Sequence, residues 1–270
     1  MNHKENHLLY KIATGGGKIV FLTGAGISAE SGIPTFRGPE GFWTVGSRVY
    51  QPEELATWST FSRKPDLVWP WYLWRRQTCR EAQPNAAHIA LVHIEEMLGN
   101  RFTLVTQNVD GLHLRAGNTA ERTYEIHGNI DYFRCIRGCG PRKKVPDLPH
   151  VGEDAVFHQD WRQPLSCDRC RTWMRPHVLW FDECYDENHY RIDSTVKAMN
   201  EADALVVIGT TGATSLPAHM LQMAQSRGVP VYDINPDDNP FARVAARGPG
   251  EWLHTTATEG VSLLAQIIAG

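Results

Sequence analysis

The 270 residues hold no apolar run that approaches the length needed to cross a bilayer, so neither a membrane span nor a membrane partner is expected. Met1 to Lys11 carries charge and two histidines but no apolar signal core, and a cytoplasmic location is the expectation. An excess of one charge is also missing. Lys and Arg number 27 against 30 Asp and Glu, a formal net charge of -3, which leaves no global field to draw the chain to nucleic acid. There is no internal repeat and no low-complexity tract. Without a secretory signal, the six cysteines (Cys79, Cys135, Cys139, Cys167, Cys170 and Cys184) do not read as a disulfide framework. What is left, 42% apolar and 21% charged, suits a globular chain of one large domain, or of one domain with a smaller insert.

Five short runs read as buried parallel strands: Ile19–Thr23, Phe102–Thr106, Ala204–Ile208, Val229–Ile234 and Trp252–Thr255. Between them lie helical patterns. One carries Ala86, Ala87, Ala90, Leu91, Ile94, Met97 and Leu98, with Gly99-Asn100 as its stop. Another runs through Leu216, Met220, Met223 and Ala224 to Gly228. The last carries Val261, Leu264, Ala265 and Ile268. Strands alternating with helices predict a doubly wound parallel sheet. Two stretches break the rhythm. Gly38 to Arg76 holds Trp43, Trp58, Trp69, Trp71 and Trp74 and reads as a loop followed by one or two helices. Tyr132 to Met174 is rich in Cys, Arg, Lys and Pro and reads as an insert folded around something other than a hydrophobic core.

That something is offered by Cys135-x3-Cys139 and Cys167-x2-Cys170, two close pairs separated by 27 residues. Four thiolates in such pairs suit tetrahedral Zn(II), and an all-cysteine set describes a closed structural site with no open position for water. An iron–sulfur cluster and four unrelated thiols are the alternatives. Cys79 and Cys184 read as ordinary thiols.

Thr23-Gly24-Ala25-Gly26-Ile27-Ser28 follows the first strand directly. Glycines there let a backbone approach a pyrophosphate, and the next helix offers N–H groups at its N-terminus. The third glycine of a dinucleotide fingerprint is displaced to Gly32, and no acidic residue stands about 20 residues on, as a dehydrogenase would have. Later strands also end in polar turns: Gln107-Asn108-Val109-Asp110-Gly111, Gly209-Thr210-Thr211-Gly212 and Asn235-Pro236. Their convergence points to a ligand site at the C-terminal edge of the sheet. His127 lies just ahead of the insert, at a junction where a cleft would form. Its imidazole could serve as a base near neutral pH, although spacing alone leaves an ordinary buried histidine equally open.

Together these segments resemble the sirtuin family of NAD-dependent protein lysine deacylases. Gly24-Ala25-Gly26-Ile27-Ser28 with Gly32-Ile33-Pro34-Thr35-Phe36-Arg37, Thr106-Gln107-Asn108-Val109-Asp110, His127-Gly128, the two cysteine pairs and Trp180-Phe181-Asp182-Glu183 occur in family order, from Lys18 to about Ala257. The resemblance implies an α/β fold, a Rossmann-like doubly wound sheet built from residues 1–131 and 175–270. A helical and loop insert at 38–80 would lie near the acyl pocket, and 132–174 would form a small zinc-binding domain. It implies NAD, consumed as co-substrate, and one structural Zn(II) on Cys135, Cys139, Cys167 and Cys170. Gly24, Ala25, Gly26 and Ser28 would cradle the pyrophosphate, and Phe36 and Arg37 would lie on a loop closing over NAD. Gln107, Asn108 and Asp110 would hold the nicotinamide ribose and carboxamide, with Asn108 also a catalytic residue. Gly209, Thr210 and Asn235 would line the adenosine side, and Thr211 and Ala257 would be further cofactor contacts. His127 would be the general base. Val178, Trp180, Phe181 and the backbone beyond would pair with an extended acyl-lysine peptide. The products would be free lysine, nicotinamide and O-acyl-ADP-ribose.

Two departures stand out. Asp182 replaces the usual Gly, and an acid beside the substrate strand could alter sequence preference or favour a basic peptide. The stretch from Gly209 to Pro217 differs from the common Gly-Thr-Ser pattern. Tyr72 and Arg75, three apart, resemble the Tyr-x-x-Arg signature of sirtuins that remove succinyl, malonyl or glutaryl groups, since a guanidinium and a phenol can grip the acyl carboxylate. Without the resemblance, Arg75 and Arg76 would read as solvent-facing while the Trp side chains pack. Rival readings are an ADP-ribosyltransferase or NAD hydrolase on the same fold, or a non-catalytic NAD-sensing zinc module.

Overall fold

The computed structural model describes residues 7–34, 43–45, 48–50, 52–149, 151–152 and 155–270. Phe36 and Arg37 lie outside the described residues. In chain order the strands are β1 (Ile19–Thr23), β2 (Trp43–Val45), β3 (Arg48–Tyr50), β4 (Phe102–Thr106), β5 (Thr123–Glu125), β6 (Gly128–Cys135), β7 (Lys143–Lys144), β8 (Met174–Val178), β9 (Ala204–Ile208), β10 (Val231–Ile234) and β11 (Glu251–Leu253). The helices are α1 (Leu8–Thr14), α2 (Gly26–Ala29), α3 (Pro52–Leu55), α4 (Trp58–Arg63), α5 (Pro65–Glu81), α6 (Ala86–Leu98), α7 (Leu112–Ala116), α8 (Glu187–Tyr190), α9 (Ile192–Glu201), α10 (Ser215–Arg227), α11 (Pro240–Arg247) and α12 (Ala257–Ala269).

Six strands form one parallel sheet in the order β11-β10-β9-β1-β4-β5. Counting only these six, the order is that of a dinucleotide-binding doubly wound fold, with its reversal between β1 and β9. The alternation of the pleat explains both core layers. Ile19 and Phe21 pack with Leu91 and Ile94 of α6 and Val261 and Leu264 of α12. Val20 and Leu22 pack on the opposite face with Met199 of α9, Leu216 and Met220 of α10 and Phe241 of α11. Registers are flush, with Thr23 beside both Thr106 and Ile208, so the C-terminal strand ends share one edge. The helix stops are where the glycines stand. Gly99 follows α6 at φ +58° and Gly228 follows α10 at φ +67°.

The rest of the chain gathers around a third core. In β6, β7 and β8, a three-stranded antiparallel sheet, β6 is central. Its side chains Phe133 and Cys135 pack with Met174, Trp161 and Leu165 and with Trp69 and Leu73 of α5. Trp69 Nε1 donates to the Met174 carbonyl at 3.1 Å, and its ring meets Phe133 edge-on. This corrects the reading of the insert as lacking a hydrophobic core. Its apolar residues are too few and too scattered to show a periodicity, and they bury against a Trp-rich helix, Pro65–Glu81, that lies far upstream in sequence. The stretch read as a loop also contains backbone pairing, since Trp43 lies opposite Tyr50 in an antiparallel β2–β3 pair. Among the described residues no helix is long and apolar enough to cross a membrane.

Candidate active site

The site begins where β1 and β9 end side by side. The Gly24 N–H donates to the Ile208 carbonyl at 3.0 Å, and the Gly26 N–H donates to the Gly209 carbonyl at 2.8 Å. A Cβ added to Gly26 would stand 2.7 Å from Gly209 Cα, and one added to Gly24 would stand 2.6 Å from Thr210 Cβ. The glycines therefore let two turns interlock, and a phosphate approaching this turn would not find those two amides available. Ser28 likewise faces inward. Its hydroxyl donates to Asp110 Oδ2 at 2.7 Å and accepts from Asn108 Nδ2 at 3.1 Å.

These contacts join a network over the sheet edge. Asn108 Nδ2 also donates to the Gly24 carbonyl at 3.0 Å. Asp110 accepts the Leu112 N–H at 2.8 Å, yet burial pushes its carboxyl above the usual range. Gln107 Nε2 donates to Thr210 Oγ1 at 2.8 Å, and Thr214 Oγ1 donates to Gln107 Oε1 at 3.2 Å. Asn235 is buried and donates through Nδ2 to the Thr210 carbonyl at 3.0 Å. Thr211 is exposed, and Ala257 opens α12, where Glu30 accepts the Thr258 N–H at 2.9 Å.

His127 stands at the same edge. Its Nδ1 lies 3.0 Å from the Gln107 carbonyl and its Nε2 lies 2.9 Å from Tyr185 Oη. A carbonyl only accepts, so Nδ1 carries the proton. Burial lowers the imidazole pKa to about 4, against the Gln107 carbonyl, which favours the charged form. The ring is therefore neutral at pH 7, with its lone pair on Nε2. Tyr185 escaped the sequence reading, because nothing in Cys184-Tyr185-Asp186 forms a motif and its partner is 58 residues away.

On the other side of His127 lies the segment read as a peptide partner. Gly128 pairs with Val178, and the His127 carbonyl accepts the Leu179 N–H at 2.9 Å. The Trp180 N–H donates to Glu183 and the Phe181 N–H to the Ala56 carbonyl, each at 3.0 Å. Three successive amides are thus already engaged, so a strand added here would have to use carbonyls and side chains. Phe181 is exposed, whereas Trp180 is fully buried and forms a wall. Arg175 fixes this turn. It pairs with Glu183 through both terminal nitrogens and lies 3.5 Å from the centre of the Trp180 ring. Asp182 also has a structural task. Its two oxygens accept the Trp58 N–H at 2.7 Å and the Ser59 N–H at 3.0 Å, and Thr57 Oγ1 accepts that of Thr60. Three first-turn amides of α4 are satisfied in this way, and the acid sits at the positive end of the helix.

Tyr72 and Arg75 lie one turn apart on α5. Trp180 Nε1 donates to Tyr72 Oη at 2.7 Å, and burial raises the phenol well above its ordinary pKa. The Arg75 guanidinium is half-buried, 5.4 Å from the Trp71 ring centre, and burial lowers its pKa against the charge of Asp110, among others. Arg75 and the Asp110 network are therefore within electrostatic reach of each other. Arg76 does not face solvent. It donates to Asp131 Oδ1 at 2.9 Å and to the Val145 carbonyl at 3.2 Å.

At the far end of β6 the ligand atoms of Cys135, Cys139, Cys167 and Cys170 all lie within 4.8 Å of one another. A tetrahedral zinc with bonds of about 2.3 Å would set its sulfurs about 3.8 Å apart. Cys135 and Cys170 are 3.5 Å apart, Cys135 Sγ accepts the Arg137 N–H at 3.3 Å, and Cys170 Sγ is 2.9 Å from Thr172 Oγ1. Four sulfurs this close, with donors turned toward them, fit one ion and leave no room for an iron–sulfur cluster. No fifth polar group is needed to close the set.

The Sir2 family profile matches residues 24–215, and the chain belongs to that family, the sirtuins. It is 42% identical over 225 residues to an NAD-dependent protein deacylase of Leptospira interrogans serogroup Icterohaemorrhagiae serovar copenhageni, a match covering 83% of this chain and 84% of that protein. It is 38% identical over 237 residues to the NAD-dependent protein deacylase sirtuin-5, mitochondrial, of Danio rerio, covering 82% and 75% respectively. A solved Sir2 homologue, a mutant in complex with 2'-O-acetyl ADP ribose, is similar with a TM-score of 0.79 at 36% identity, covering 100% of this chain and 97% of that one.

Two outcomes follow from this geometry. Purified protein should carry one zinc per chain, and Cys135→Ser or Cys170→Ser should lose it and melt at lower temperature, because metal binding here is coupled to folding. Metal analysis that finds no zinc in well-folded protein would contradict the assignment. The second outcome concerns acid. Burial lowers His88 and His127 to about 4 and His177 to about 3. Unfolding returns each ring to about 6.5, so the unfolded chain binds more protons as pH falls from about 6.5 to about 4. Their stabilising share is complete above that window and is lost as pH falls through it. Asp233, pushed up to about 7 by burial, opposes one of the three. Denaturant midpoints should drop between pH 6.5 and 4, and His88→Gln should flatten the slope. A midpoint independent of pH over that range would refute this.

Proposed function

We propose that this protein is an NAD-dependent protein lysine deacylase releasing nicotinamide and O-acyl-ADP-ribose, and that it favours acyl groups ending in a carboxylate, succinyl or malonyl, as well as taking acetyl. The observation that carries the reading is the neutral imidazole of His127, held by the Gln107 carbonyl between the switch-point network and the Val178–Phe181 segment. Bound NAD would supply a ribose carbon with nicotinamide as its leaving group. Gln107, Asn108 and Asp110 would meet the ribose and carboxamide, and Gly209, Thr210 and Asn235 the adenosine side. The held geometry matters because an amide oxygen is a poor nucleophile and gains most from orientation. Nε2 of His127 would take a proton from a ribose hydroxyl. Residues 132–174, with their zinc, would serve to hold the β6–β8 pair in place.

The acyl preference is supported by the chemistry of α5. An indole nitrogen only donates, so Tyr72 Oη is the acceptor in its bond with Trp180 and keeps its own hydrogen to donate. Arg75 is a half-buried cation whose burial penalty an arriving carboxylate would offset. An acetyl group brings no such charge. An ADP-ribosyltransferase or NAD hydrolase would share the NAD contacts and differ in what attacks the ribose.

Incubation with NAD and acyl-lysine peptides separates these readings. Deacylated peptide and nicotinamide should form in equal amounts, whereas nicotinamide without deacylation would point to hydrolysis. His127→Ala should lose about 100- to 10,000-fold in rate while still binding NAD. Arg75→Met should lose about 10- to 150-fold on succinyl-lysine peptide and keep its activity on acetyl-lysine. Wild-type protein with a higher kcat/KM on acetyl than on succinyl peptide would make this chain a plain deacetylase.

A further inference from the structure

We propose that Tyr185 is a plug on the base: its hydroxyl occupies the one lone pair of His127, and a ribose hydroxyl must displace it before the base can act. The inference rests on the reading of His127 as the base. A neutral imidazole has one N–H and one lone pair, and the N–H is spent on the Gln107 carbonyl at 3.0 Å. Nε2 therefore accepts, and the donor at 2.9 Å is the Tyr185 O–H. The lone pair lies in the ring plane and points in one direction. A substrate hydroxyl that is to give its proton to Nε2 must lie along that same direction at a similar distance, about 2.6–3.2 Å. Two oxygens cannot occupy one such position, so Tyr185 and the ribose exclude each other.

The surroundings give the phenol somewhere to stay. Thr214, Ser215 and the Leu216 N–H, at the start of α10, lie near the Tyr185 hydroxyl and oppose the rise in its pKa that burial causes. Thr214 in turn donates to Gln107 Oε1, and the Gln107 carbonyl holds His127 Nδ1. Thr214, Gln107, His127 and Tyr185 thus form a chain of polar contacts, and a ligand engaging Gln107 would disturb the carbonyl that aims His127 at Tyr185. The backbone on either side is pinned. Glu183 is gripped by Arg175, and Asp186 accepts the His189 N–H at 2.8 Å. Displacement is then a side-chain rotation of Tyr185 that leaves the backbone of the segment in place. The proton on Tyr185 stays on Tyr185 throughout, and the phenol takes no part in the transfer.

Tyr185→Phe removes only the hydroxyl. With NAD and acyl-lysine peptide, the variant should show a KM for NAD lower by about 2- to 10-fold, the worth of one neutral hydrogen bond, with kcat unchanged or higher. Nitrogen-15 NMR of histidine-labelled protein gives a readout that does not depend on turnover. In the ligand-free protein the His127 Nε2 resonance should move when Tyr185 is replaced by Phe, and adding NAD should move the wild-type Nε2 resonance while Nδ1 stays hydrogen-bonded. A kcat reduced tenfold or more with unchanged KM would make Tyr185 a proton relay and overturn the plug. Unchanged kinetics in Tyr185→Phe, or a Nε2 resonance indifferent to it, would also overturn it. Should wild-type protein fail to deacylate any peptide while its Nε2 resonance responds to both Tyr185→Phe and NAD, the deacylase reading fails and the plug stands.

Discussion

The sheet edge depends on the contact between the turns after β1 and β9. Gly24 and Gly26 approach the second turn so closely that their N–H groups donate to the Ile208 and Gly209 carbonyls, and any Cβ on Gly24, Gly26 or Gly209 would overlap backbone or Thr210. This approach brings Thr210 within reach of Gln107, and Asn235 within reach of the Thr210 carbonyl. The Gln107 carbonyl then fixes the tautomer of His127. A packing constraint among three residues without side chains thus reaches the imidazole through only two side-chain partners. Glycine at the first turn therefore has a packing use of its own, bringing the turn after β1 against the turn after β9.

Electrostatics at the site are arranged to keep ionisable groups uncharged or locally answered. Burial holds His127 neutral, and it raises Asp110 despite two donors. Arg175 is buried but satisfied by a carboxylate, a carbonyl and an aromatic face. Asp182, exposed beside the Val178–Phe181 segment, accepts two first-turn amides of α4 and so ties the two elements together.

Much of this was legible in the sequence, for particular reasons. Strands buried on both faces, such as β1 and β9, read as unbroken apolar runs, and Gly99 and Gly228 mark helix ends because they adopt positive φ. The Rossmann-like sheet, the sirtuin resemblance and the four-thiol cluster were visible for the same kind of reason, since each is written in contiguous residues. β5 was not, being three residues at a sheet edge with only Thr123 buried. Nor was α9, which buries only Thr195 and Met199. α11 did carry a readable start, Asn239 capping with Pro240 in the first turn. The tasks of Asp182 and Tyr185 could not be read from sequence. Their partners lie 123 and 124 residues away for the first and 58 for the second, and no local pattern encodes a contact of that span.

The β6–β8 pair has the cysteine cluster at one end, where Cys135 lies opposite Met174, and His127 at the other, where Gly128 lies opposite Val178. Between Gly128 and Phe133 the register shifts, so the ladder is interrupted between His127 and the cysteines. At the His127 end the two chains almost touch. Gly128 has φ +84°, and a Cβ there would fall 2.0 Å from the His177 carbonyl oxygen. In mechanical terms the pair is a beam supported at both ends, by the four thiols at one and by a contact that only glycine permits at the other, so that neither support has to carry the alignment of the two strands by itself.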